Sequence, residues 1–186
     1  MPSAVVIACS TGGPRALSAV LPALPARVGA GTIIIQHMPP GFTGSLAARL
    51  DRASRLRVRE ASDGDALRPD AALLAPGGRH LRLCEERRVR LSDEEPVGAL
   101  RPRADLTIAD AARQFGHDLV LVVLTGMGRD GLDGAHAVRA AGGTVLAQDR
   151  TSCAVYGMPR AVTEAGLADA VLPLDELPDA IGEAAA

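Results

Sequence analysis

The chain is 186 residues long with a formal net charge of −2; 47% of it is hydrophobic, yet it has no Trp, two Phe and one Tyr. That length suits one well-buried domain, and the shortage of aromatics leaves a core of Ala, Val, Leu and Ile while excluding an aromatic base-stacking platform. The charge gives no electrostatic ground for binding nucleic acid or an anionic membrane, and no segment reaches the roughly 20 apolar residues that cross a bilayer.

In chain order, "AVVIA" (4–8) is a short apolar strand ended by "STGG", and a helix is expected from Pro14 to Ala26, with proline tolerated in its first turn. "GTIIIQ" (31–36) is a second buried strand, followed by "HMPPGFTG" and an amphipathic helix over 44–53. "RVREAS" and "AALLAP" are further strands, and "HLRLCEERRVRLS" (80–92) alternates about an acidic turn as a half-exposed hairpin does. The polar, proline-bearing "DEEPVGALRPRA" precedes a helix from Asp105 to Phe115, and "DLVLVVLTG" (118–126) is the strongest buried-strand signal. A helix from about Leu132 to Ala141, a strand at 143–148, a helix near 154–165, "DAVLPL" and an Ala-rich terminal helix with frayed last residues complete the chain. Strands alternating with helices imply an α/β fold: one doubly wound, mostly parallel sheet with helices on both faces, plus the antiparallel hairpin near 80–92.

Such sheets place their sites beyond the carboxyl ends of the strands. Ser10 and Thr11 follow the first strand, His37 the second, and Asp130, in "LTGMGRDG", the most apolar one. A hydroxyl, an imidazole and a carboxylate at one edge are the parts of an acyl-transfer triad, in which the base takes the serine proton and the acid orients the base. The elbow pattern G-x-S-x-G is incomplete, with Ala8 in place of its first glycine. Competing readings are open: Ser10 or Thr11 as a cap for the following helix, the glycines as a phosphate cradle, and Asp130 or Asp133 as the cap of the helix near Leu132. Under the capping reading the chain is a non-catalytic binding or regulatory module. His80, His117 and His136 lie at a hairpin start, at the wrong strand end and inside a helix. Cys9, Cys84 and Cys153 form no CxxC pair, as in a reducing compartment, and Cys9 points into the core, opposite to Ser10. The expectations are a cytoplasmic location, no metal and no cofactor.

"ACSTGGP", "QHMPPGFTGSLAARLD", "DGDALRPDAALLAPGGRHL", "LTGMGRDGLDG" and "AQDRTSCAVYGMPRAV" resemble, in order and spacing, the catalytic domain of chemotaxis protein-glutamate methylesterases of the CheB type. The resemblance implies hydrolysis of glutamate methyl esters on chemoreceptor helices, or on another methyl-esterified protein, with deamidation of receptor glutamines in many members. It implies Ser10 as nucleophile, His37 as general base and Asp130 as its orienting acid, with Thr11 and Met127 helping to position substrate or bind the oxyanion. "GMPR" (157–160) resembles a motif lining the site region. Residues 1–186 are thus read as the catalytic domain without the receiver domain that usually gates it, and as a monomer. One departure stands out. Where the family commonly shows R-P-S-V-D-x-L-F-x-S, this chain has "RPRADLTIADAARQFG", with Arg103, Ala104, Thr107 and Ile108 as replacements, which weakens any expectation of docking to a standard chemoreceptor helix.

Overall fold

A computed structural model describes residues 3–186. The β-branched runs form seven parallel strands: β1 (Ala4–Cys9), β2 (Gly31–Gln36), β3 (Arg57–Glu60), β4 (Ala71–Leu74), β7 (Leu119–Val123), β8 (Thr144–Gln148) and β9 (Ala170–Leu172). The expected hairpin is β5 (His80–Cys84) paired antiparallel with β6 (Arg88–Ser92). The sheet order is β3-β4-β2-β1-β7-β8-β9, so the chain winds outward from β1 in both directions. β1 is therefore the switch point, where loops diverge and a crevice opens at the carboxyl edge.

Alternation along β1 sends Val5, Ile7 and Cys9 to one face and Ala4, Val6 and Ala8 to the other. Helices α1 (Gly13–Ala23), α2 (Thr43–Ala53) and α6 (Leu177–Ala184) cover the first face. Helices α3 (Ala104–Phe115), α4 (Leu132–Ala140) and α5 (Met158–Glu164) cover the second together with the hairpin. Burial on both faces explains why the central strands are continuous apolar runs.

Three boundaries differ from expectation. α1 stops at Ala23 because Leu24, which precedes Pro25, is extended (ψ 149°), as a residue before proline prefers to be. α5 begins only at Met158, since residues 149–157 form a loop bonded to the sheet edge. Of the terminal alanines, Ala184 packs against the α1–α2–α6 core and Ala185 is buried in it, while Ala186 is exposed.

Candidate active site

Ser10 leaves β1 with its N–H bonded to Thr125 O at 3.0 Å, which extends the β1–β7 ladder by one step. Its carbonyl accepts from Gly13 N–H (2.8 Å) and from Gln36 Nε2 (3.0 Å). Gln36 ends β2 opposite Cys9 and is 2% exposed. Its second Nε2 hydrogen goes to His37 O (2.9 Å), and its Oε1 accepts from Cys9 Sγ–H (3.1 Å). One buried amide thus ties the serine corner to the histidine corner. A buried amide without partners would be costly, and here every hydrogen and the oxygen are used.

This arrangement reassigns the glycines of "STGG". A Cβ on Gly13 would lie 1.9 Å from Gln36 Oε1, so that glycine makes room for the clamp. Gly12 is left-handed (φ 84°), and a Cβ there would meet Ala154 Cβ at 2.6 Å. Gly12, not Ser10 or Thr11, is the N-cap of α1, and no side-chain hydrogen bond caps that helix. The cap reading of Ser10 is therefore corrected: its Oγ has no hydrogen-bond partner among the described residues. Burial pushes the neighbouring Cys9 thiol up and leaves it protonated in the core.

His37 N–H donates to Cys9 O (3.1 Å), which sets the imidazole beside the serine corner. Its Nε2 lies 2.7 Å from Asp130 Oδ2, with side-chain exposures of 9% and 1%. An ionised Asp130 accepts there, so Nε2 carries the hydrogen and Nδ1 keeps the ring's lone pair. This is the reverse of the common protease arrangement, in which Nδ1 faces the aspartate.

Asp130 does not cap α4 through its side chain from within that helix, as one sequence reading allowed. It sits instead at the start of α3, accepting from Ala104 N–H at 2.7 Å and Asp105 N–H at 2.9 Å, with Gly131 N–H at 3.0 Å. The positive end of α3 thus holds the carboxylate. Asp105 answers in kind, its Oδ1 accepting from Gly131 N–H (2.8 Å) and Gly134 N–H (2.9 Å) at the start of α4. Arg103 Nε lies 2.8 Å from Asp130 Oδ1, and its Nη2 lies 2.6 Å from Asp105 Oδ2. Burial raises the proton affinity of Asp130, but the bonds from His37 and the α3 amides outweigh it and bring the carboxyl down to about 2. Asp105 moves up, first because it is buried and then because Asp130 is negative.

Around Ser10, the N–H groups of Thr11 and Met127 donate to no acceptor among the described residues. The Thr11 carbonyl is held by Thr125 Oγ1 (2.9 Å), while the Met127 side chain is 73% exposed. Met127 borders a cleft of about 740 Å³ with Arg129, Leu132, Tyr156 and Arg160, which places the "GMPR" stretch on its wall. A smaller cleft of about 300 Å³ is lined by His37 itself with Met38, Pro39 and Leu100. Gly126 cannot bear a side chain, because a Cβ would come within 2.9 Å of Ser10 Cβ and 2.4 Å of Met158 Sδ.

Sequence reasoning brought Ser10, His37 and Asp130 to one edge but missed the residues that hold them. Gln148, fully buried at the end of β8, accepts from Thr125 N–H (2.8 Å) and donates to Ser152 O (2.8 Å), repeating the role of Gln36. The available signal was a glutamine closing each apolar run, "GTIIIQ" and "TVLAQ". His80 is buried and accepts from Arg103 N–H through Nδ1 (3.2 Å), so it anchors the loop that delivers Arg103. His117 is exposed at the amino end of β7, and His136 lies within α4. The 103–108 segment lies mostly inside the protein. Ala104, Thr107 and Ile108 are fully buried, with Thr107 Oγ1 donating to Leu81 O, so three of the four replacements lie in the interior.

A model of the CheB methylesterase family matches residues 5–181. A protein-glutamate methylesterase/protein-glutamine glutaminase of Symbiobacterium thermophilum is 49% identical over 180 residues, covering 97% of this chain and 50% of that protein. A protein of the same name from Moorella thermoacetica is 52% identical over 183 residues, covering 95% of this chain and 43% of its own. The chain thus spans about half the length of the curated relatives it matches. The crystal structure of the Thermotoga maritima CheB methylesterase catalytic domain superposes with a TM-score of 0.95 at 44% identity, each chain 98% covered.

Proposed function

The chain belongs to the CheB methylesterase family, and from that membership and the geometry of its site we propose that it is a serine hydrolase that demethylates glutamate methyl esters on chemoreceptors. The carrying observation is the buried His37–Asp130 pair at 2.7 Å beside an unpartnered serine hydroxyl on the adjacent strand end. In this reading the Ser10 side chain turns its Oγ–H to His37 Nδ1, which takes the proton as Oγ attacks the ester carbonyl. Asp130, ionised and held by the α3 amides, stabilises the imidazolium. The free N–H groups of Thr11 and Met127 receive the oxyanion. The imidazolium then protonates methoxide, methanol leaves, and water activated by the same base releases the glutamate and restores Ser10. A glutamine side chain fits the same course with ammonia as leaving group, which agrees with the double name of the relatives.

The cleft lined by His37 and the one bordered by Met127 suit a partner surface passing across the carboxyl edge, and we assign them to the receptor helix. The three cysteines are free thiols, as in a reducing cytoplasm, where receptor tails lie. Residues 1–186 are read as one catalytic unit acting as a monomer. The test is methanol release from a methylated receptor fragment by wild type and Ser10→Ala. Wild type should release methanol, and the variant should fold with the same melting temperature and release it slower by several orders of magnitude. Equal rates in the two would exclude Ser10 as nucleophile.

A further inference from the structure

Four ionisable side chains meet at one point. His37 comes from the end of β2, Arg103 from the loop before α3, Asp105 from the first turn of α3, and Asp130 itself from the loop after β7. On α4 the exposed Asp133 also acts on Arg103 through space, and Arg129 beside Asp130 is exposed. Arg103 donates to Asp105 Oδ2 through both Nε (3.0 Å) and Nη2 (2.6 Å), and its Nε also lies 2.8 Å from Asp130 Oδ1, so one guanidinium serves two carboxylates.

Those two carboxylates accept from one Gly131 N–H, so they are close enough to repel. Two buried carboxylates and one guanidinium carry a net charge of −1 while His37 is neutral, and zero once it takes a proton. Without Arg103 the resting charge would be −2. The guanidinium is also built in. Its backbone N–H is anchored on buried His80 Nδ1 at 3.2 Å, and its side chain is only 17% exposed. Position 103 is where the family pattern described above carries serine.

We propose that Arg103 is a positioning residue which, through Asp130 and balanced by Asp105, sets the pH below which the triad stops working. The inference rests on reading Ser10, His37 and Asp130 as a triad. A positive charge on the far oxygen of Asp130 weakens its hold on an imidazolium, so Arg103 keeps His37 available as a base at lower pH. Across the carboxylate the two cations lie on the order of 7 Å apart, where partly screened Coulomb interaction corresponds to about one pH unit.

The experiment is the second-order rate of fluorophosphonate labelling between about pH 5 and pH 9, which reads the free enzyme's base. Arg103→Ser should move the acid limb up by about one pH unit, and Asp105→Asn should move it down by a similar amount. The double variant should return close to wild type. Arg103→Lys, which keeps the charge, should leave the limb in place whatever it does to the plateau. A purely structural role for Arg103 would lower the plateau without moving the limb, and that result overturns the proposal. If Arg103→Ser does not fold, Asp105→Asn decides alone, since its amide oxygen can still accept from Gly131 and Gly134; an unmoved limb again refutes the proposal. Absence of labelling in wild type, or equal labelling of Ser10→Ala, would instead refute the triad.

Discussion

Replacing Gln36 with leucine removes the amide that joins the serine and histidine corners while keeping side-chain volume nearly constant. Three hydrogen bonds disappear: to Ser10 O, to His37 O and from Cys9 Sγ. Ser10 O retains Gly13 N–H at 2.8 Å, so the orphaned group is the His37 carbonyl. One unsatisfied carbonyl and a lost thiol contact cost about 2–3 kcal/mol, which for a chain of this size lowers Tm by about 5–10 °C. The larger effect falls on the chemistry. With neither corner tied to the other, Ser10 and His37 drift relative to each other, and a displacement of about 1 Å costs roughly a hundredfold in rate. Thermal unfolding and fluorophosphonate labelling of the same preparation separate the two effects. Cys9→Ala is the control: it removes only the thiol and leaves both carbonyl bonds, so it should label close to wild type despite a lower Tm. A folded Gln36→Leu protein that labels at the wild-type rate would refute the clamp, and failure of Cys9→Ala to label would make Cys9 more than a buried filler.

Gly13→Ala should reproduce the Gln36→Leu phenotype, because its Cβ would lie 1.9 Å from Gln36 Oε1 and expel the amide. In a Gln36→Ala background the same change should cost far less, giving a coupling of about 1–3 kcal/mol in a double-mutant cycle by urea unfolding; additive costs would count against this contact. Asp130 offers a pH test. Its carboxyl is depressed from 3.8 to about 2 in the folded protein, so it contributes stability that is present above its unfolded value and lost as pH falls through the folded one. Wild type should therefore lose about 2 kcal/mol relative to Asp130→Asn between about pH 4 and pH 2 in urea titrations, and a gap that stays constant over that window would contradict the assignment.

Much of this protein could be read along the chain. Parallel strands covered on both faces must be apolar throughout, so "AVVIA", "GTIIIQ" and "DLVLVVLTG" announced themselves, and crossover geometry then brought Ser10, His37 and Asp130 to one edge. These are consequences of local composition and of a connection rule, both of which a linear string carries. The competing reading of Asp130, by contrast, made it a cap for the helix that follows it, yet its carboxylate holds the start of α3, 26 residues earlier. The glycines of "STGG" were open to reading as a phosphate cradle, yet one makes room for Gln36 and the other packs against Ala154. Arg103 read as a change on a docking surface, yet it bridges two buried carboxylates. Composition and periodicity determined the strands and which edge they would serve. Tertiary structure alone decided which polar groups meet there, because a buried polar atom takes whichever partner the fold brings within about 3 Å, and that choice depends on distances in space that sequence separation does not encode.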